Sequence, residues 1–169
     1  MPTGLKQTSS VVTIGFSADE TAANTFSESV TDLNLSPLDR EVFVVLAINM
    51  DPFYPDAIAA TDTGVSASLT STSQTRVTNL SNPNCLAAAV NSIKAAGFLD
   101  SGAPFQTRLE TPPANLDYIG IIATNDFFVQ VEGTGNLGVK GVDGKIYGYR
   151  ARADAAIYAA LVQSEALSA

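Results

Sequence analysis

The chain has no histidine and no tryptophan, and Cys85 is its only cysteine among 169 residues. Histidine is the usual general base near neutral pH and the commonest metal ligand. Its absence excludes a Ser-His-Asp triad, a Cys-His dyad and any histidine-containing zinc site. A lone thiol excludes an internal disulfide framework and a multi-cysteine metal centre. Charge is also scarce. Charged residues are 15% of the chain, against roughly 25% in a typical soluble domain. With 9 basic and 17 acidic residues the net charge is −8. Only Arg150 and Arg152 lie close together, and Asp154 flanks them. Phosphate neutralisation needs a basic patch, so no direct binding of nucleic acid is expected. Long apolar runs are missing too. The longest, Val42 to Ile48, is far short of the ~20 residues of a transmembrane helix. Residues 1–15 hold no apolar segment behind a basic start, so no secretory signal is expected.

What remains is a chain that is 46% hydrophobic and rich in Ser, Thr and Ala. Its length fits one domain, residues 1–169, large enough to bury a core without disulfides or metals. A monomer ordinarily keeps a charged surface for solubility. A surface poor in charge points to contact with other protein.

The pattern along the chain is mainly that of short strands. Val11 to Phe16 is β-branched and aromatic, and Phe26 to Leu35 reads as a strand with a bulge. Glu41 to Met50 is apolar without alternation, the mark of a strand buried on both faces. Asp51-Pro52-Phe53-Tyr54-Pro55-Asp56 then forces a loop. Val65 to Thr72 alternates apolar residues with Ser and Thr, predicting a half-exposed strand with an uncharged outer face. Pro83 to Gly97 predicts a helix, with Leu86, Val90 and Ile93 at helical spacing among alanines. Phe105 to Leu109 predicts a strand that Thr111-Pro112-Pro113 stops. Tyr118 to Thr124 and Phe127 to Glu132 predict two strands joined by a tight turn at Asn125-Asp126. Asp143-Gly144 predicts a second hairpin, between 139–141 and 145–149. From Asp154 the period becomes helical, with Ile157, Tyr158, Leu161 and Val162 on one face. The expected fold is therefore mainly β: an antiparallel β-sandwich or jelly roll of about eight strands, with one inserted helix and a C-terminal helix.

No motif in this pattern carries catalysis or a cofactor. Gly133 to Gly138 spells G-x-G-x-x-G, but the dinucleotide fingerprint needs a helix to begin within it. Val139 to Gly144 cannot supply one. Asp51, Asp56, Asp62 and Asp143 are loop carboxylates of the kind that bind calcium, at a spacing that matches no calcium loop. Asp126 and Glu132 share a strand face at a separation too large for a hydrolytic pair. Phe53, Tyr54, Phe127, Phe128, Tyr147 and Tyr149 suggest a sugar platform, but such residues are more often core or interface anchors. No cofactor or metal is expected, and the chain is read as a non-enzyme. The expected interface residues are Tyr147, Tyr149, Tyr158 and Leu161.

Glu41–Met50, Val65–Thr72, the helix around Leu86–Ala96 and the paired strands from Tyr118 to Glu132 together resemble the layout of small viral single jelly-roll capsid proteins. That resemblance implies a self-assembling subunit of a virion, making contacts with copies of itself and with other virion proteins. One departure concerns the genome. Many small capsid proteins carry a basic arm, whereas Met1 to Ser10 holds one lysine, which implies shielding by lipid, other protein or cations. The rival expectations are a ligand- or carbohydrate-binding β-sandwich module and a subunit of a non-viral extracellular filament.

Overall fold

The computed structural model describes residues 2–95, 105–109 and 115–168. Ten strands and one helix are seen among them: β1 (Leu5–Gln7), β2 (Val12–Asp19), β3 (Ser27–Asp32), β4 (Glu41–Pro52), β5 (Thr63–Thr70), β6 (Cys85–Ile93), β7 (Phe105–Leu109), β8 (Gly120–Ile122), β9 (Asp126–Thr134), β10 (Gly141–Ala153) and α1 (Ala155–Leu167). They build two five-stranded antiparallel sheets. In the first, sheet A, β10 lies between β4 on one side and β1 and β2 on the other, and β8 closes the far edge beside β4. The second, sheet B, runs β3-β9-β5-β6-β7.

Alternation along the strands explains how the sheets meet. Val65, Ala67 and Leu69 of β5, Phe127, Val129 and Val131 of β9, and Phe43, Val45, Val142 and Ile146 of sheet A join one buried cluster. Phe16 meets Phe127 edge-on across it, with ring centroids 5.9 Å apart. In β4 the intervening residues, Val42 and Val44, face the opposite way into a second cluster with Tyr149, Ala151 and Ala153. This accounts for the absence of alternation at its start: both faces are buried. Further along, Ala47 stands opposite Tyr147 while Val45 stands opposite Gly148. Leu46 is the extra residue of a bulge, and beyond it Ile48 and Met50 pack on the first cluster.

The second cluster lies beneath α1. Ile157, Tyr158, Leu161 and Val162 pack on the outer face of sheet A. Asp154 holds the N-cap position without a side-chain hydrogen bond to the helix. The C-terminal part of α1 is fixed by Glu165, a buried residue whose carboxylate accepts the backbone N–H groups of Ala123 at 3.0 Å and Thr124 at 2.9 Å.

Three expectations are corrected. Residues 85–93 form a strand and not a helix. Alanine favours helices intrinsically, but tertiary context overrides propensity. Here β5 and β7 offer pairing on both sides, and the small side chains of Ala87 and Ala89 fit the tight space against the core. Ala96 and Gly97, the expected end of that helix, and Thr111-Pro112-Pro113 lie outside the described residues. Asn125-Asp126 is not a hairpin turn, because β8 pairs with β4 in sheet A while β9 pairs with β3 and β5 in sheet B. Asp143-Gly144 is not a turn either. Strand β10 runs straight through it, paired to β2 and β4. A Cβ at Gly144 would sit 2.3 Å from the Phe16 ring and 2.4 Å from the Asn49 carbonyl, so glycine is required there by close approach.

Candidate functional site

At one end of the two sheets three connections converge, residues 20–26, 53–62 and 135–140. Buried polar side chains tie them together. Glu20 accepts hydrogen bonds from the backbone N–H groups of Gly133 at 2.6 Å, Lys140 at 2.8 Å and Thr25 at 3.1 Å. The Asn136 amide donates to the Gly64 carbonyl at 2.8 Å and accepts from the Asp56 N–H at 2.9 Å. The Asn136 backbone exchanges two 2.8 Å bonds with the side chain of Asn24. Asp56 in turn accepts from Leu137 N–H at 2.8 Å and from the Lys140 ammonium at 2.6 Å. These contacts, led by the Lys140 ammonium, hold the Asp56 carboxyl below its usual range. Buried polar groups fully satisfied in this way fix one arrangement of a loop.

This rigid frame presents apolar side chains to solvent. Leu137 is 82% exposed and Tyr54 75%, and Phe53, Phe105 and Val139 are exposed beside them. The rings of Tyr54 and Phe105 touch, with centroids 5.6 Å apart. Apolar side chains displayed together on a fixed backbone make a surface suited to docking protein at low conformational cost. Chain folding gains nothing from exposing them.

A different feature lies on the outer face of sheet B. Residues 71–84 cross it as a strap. Gln130, fully buried, anchors the layer beneath: its amide accepts from Ser68 Oγ at 2.7 Å and donates to Thr70 Oγ1 at 2.7 Å and to Glu28 at 2.9 Å. Glu28 also accepts from Ser73 Oγ and Gln74 N–H, and Ser68 Oγ accepts from Thr78 N–H. The Ser/Thr face of β5, expected to be half exposed, is thus covered by the chain itself. Beside this layer the strap leaves a cavity of about 450 Å³, lined by Ser66, Val77, Thr78, Leu80, Val90 and Glu132 among others.

The residues singled out in the sequence are dispersed. Tyr149 is buried under α1, and Tyr158 and Leu161 pack on the same cluster. Burial is the main cause that pushes the Tyr149 phenol up from its ordinary value. Tyr147 lies on that outer face, half-buried. Phe127 is core, Phe53 and Tyr54 belong to the loop end, and no aromatic platform forms from these six rings. Asp62 is bound by Ala95 N–H and Lys94, and these contacts lower its pKa. Among the described residues no group of three or more Asp, Glu or Cys side chains is placed to hold a metal ion. The glycines at 133–138 serve the loop frame: Gly135 has φ +68°, and a Cβ there would lie 2.4 Å from the Asp62 carbonyl. No described helix is long and apolar enough to cross a membrane. Of the loop-end surface only Phe53 and Tyr54 were singled out in the sequence, without Leu137 and Val139. Its signal was there, in Phe53-Tyr54 between two prolines and in Leu137 and Val139 within a glycine-rich stretch.

No protein-family model and no curated protein matches the chain.

Proposed function

We propose that the two sheets form a jelly-roll sandwich and that the chain is a non-catalytic, self-assembling shell subunit, the coat protein of a virion, whose partners are copies of itself and other virion proteins. The carrying observation is the pairing order. With β1 and β7 set aside, the first of the remaining eight strands pairs with the last (β2–β10), the second with the seventh (β3–β9), the third with the sixth (β4–β8) and the fourth with the fifth (β5–β6). That nesting is what rolling up one long hairpin produces, and it supports the jelly-roll reading. The architecture alone also serves lectins and cupins. The step from fold to shell rests on the surface: few charges, and exposed apolar side chains set on a rigid loop end. The polar groups there are spent on holding shape. Tyr147 is a second contact point on this reading, while Tyr149, Tyr158 and Leu161 act from beneath by fixing α1.

Negative-stain imaging of the purified protein tests the proposal. Closed particles of uniform size are expected. A field without particles at any concentration or salt contradicts self-assembly as a property of the chain.

A further inference from the structure

We infer that the cavity between the strap and sheet B binds a small aliphatic amine, with its ammonium at Glu132 and its methylenes along the strap. The register of sheet B sets the floor. Glu132 of β9, Ser66 of β5 and Val90 of β6 stand side by side across three strands, and all three line the cavity. Glu132 is half-buried, and its carboxylate has no ion pair or hydrogen bond among the described residues. A partly desolvated charge without a countercharge is costly. On the strap, Thr78 N–H is pinned to Ser68 Oγ at 3.1 Å, which fixes that part of the cavity wall.

These groups select the ligand. A primary ammonium has three donors and no acceptor. The Glu132 carboxylate and the Ser66 hydroxyl offer acceptors on the cavity floor, one of them charged. An anion would meet Glu132 as a like charge, and a neutral polyol would leave that charge uncompensated. Val77, Leu80, Ala88 and Val90 supply an aliphatic wall for a short carbon stem. Among the described residues no aromatic ring lines the cavity, and none of them supplies the cage that favours quaternary ammonium ions. The volume, about 450 Å³, falls within the range of small-molecule sites.

Saturation-transfer NMR observes the ligand and works on monomer and assembly alike. With n-butylammonium as probe, transfer to the methylenes is expected, with a dissociation constant in the millimolar range. The isosteric neutral probe, 1-butanol, should bind at least about tenfold more weakly, since the loss of a charged contact is worth that or more. Glu132→Gln should weaken butylammonium by a similar factor, and Ser66→Ala by severalfold, with unchanged circular dichroism. Ser66→Ala decides the matter if Glu132→Gln does not fold. Equal binding of butylammonium and butanol, or wild-type binding by folded variants, overturns the inference.

Discussion

The outer faces of the two sheets are both covered, in opposite ways. Over sheet A, α1 buries an apolar layer: Val42, Val44 and Ala151 are completely excluded from solvent. Over sheet B, the strap buries a polar layer in which Gln130, Ser68 and Thr70 are just as inaccessible. The helix cover gains stability from area removed from water, about 1.5–3 kcal/mol for each large side chain, and tolerates some rearrangement because that force is non-directional. The strap cover gains about 1 kcal/mol per hydrogen bond, yet a single orphaned partner costs more than that. It therefore specifies one arrangement more than it stabilises. Asn84 joins the two covers, donating to Thr72 Oγ1 of the strap at 2.9 Å and to the Glu165 carbonyl of α1 at 3.3 Å.

Deleting residues 155–168 should break the helix side most severely. The exposed patch over β4 and β10 should drive aggregation or unfolding, visible as loss of soluble protein. A soluble, natively folded truncation would show that α1 contributes little. Tyr149→Ala should cost roughly 3 kcal/mol or more through the cavity it leaves, measured as a lower urea midpoint. On the strap side, Gln130→Leu should cost about 2–3 kcal/mol, because Ser68, Thr70 and Glu28 lose their shared partner at once. If it costs less than a single hydrogen bond, the polar layer is not cooperative.

Glu165 sharpens the comparison, being the polar anchor of the apolar cover. Burial raises its pKa above the ordinary 4.5, against the opposing pull of the two backbone N–H groups. A raised folded-state value means that this group's contribution is full below about 4.5, its ordinary value, and is lost as pH rises through the folded value. Asp56 and Asp62, with lowered values, act in the opposite sense and lose their contribution as pH falls. Glu165→Gln should cost about 1–2 kcal/mol, since one amide oxygen cannot serve both N–H groups. Its difference from wild type should shrink as pH rises, in urea titrations between pH 4 and 8. A pH-independent difference would contradict the shift. The smallest effect belongs to Asp56→Asn at the exposed loop end. It should leave the unfolding midpoint nearly unchanged while faster hydrogen exchange appears at Leu137 and Gly138.

Much of the β architecture was legible because alternation and β-branching are local signals. Val12 to Phe16, Glu41 to Met50, Val65 to Leu69 and Phe105 to Leu109 all lie in strands, and Ile157 to Val162 lies in the expected helix. The failures have a common cause. Leu86, Val90 and Ile93 satisfy a helical period, and Asp143-Gly144 satisfies a turn, until long-range pairing decides otherwise. Asn125-Asp126 marks a passage between sheets, which no local pattern distinguishes from a hairpin. The covers were legible by half: the apolar face of α1 shows in its spacing, whereas the partners of Gln130 come from two strands, β3 and β5, that lie 60 to 102 positions away in the chain. The apolar residues of the loop-end surface are visible in the sequence, but their convergence depends on contacts such as Asn24 with Asn136, 112 positions apart.

The most direct test of the assembly account is the mass in solution, by light scattering over a range of concentration, of wild type beside Leu137→Glu. Leu137 is exposed, so the substitution should leave the fold intact while placing a charge in the proposed contact. The account predicts large species for the wild type and a 17.6 kDa monomer for the variant. A wild type that remains monomeric at every concentration, or a variant that assembles as readily as wild type, would contradict it.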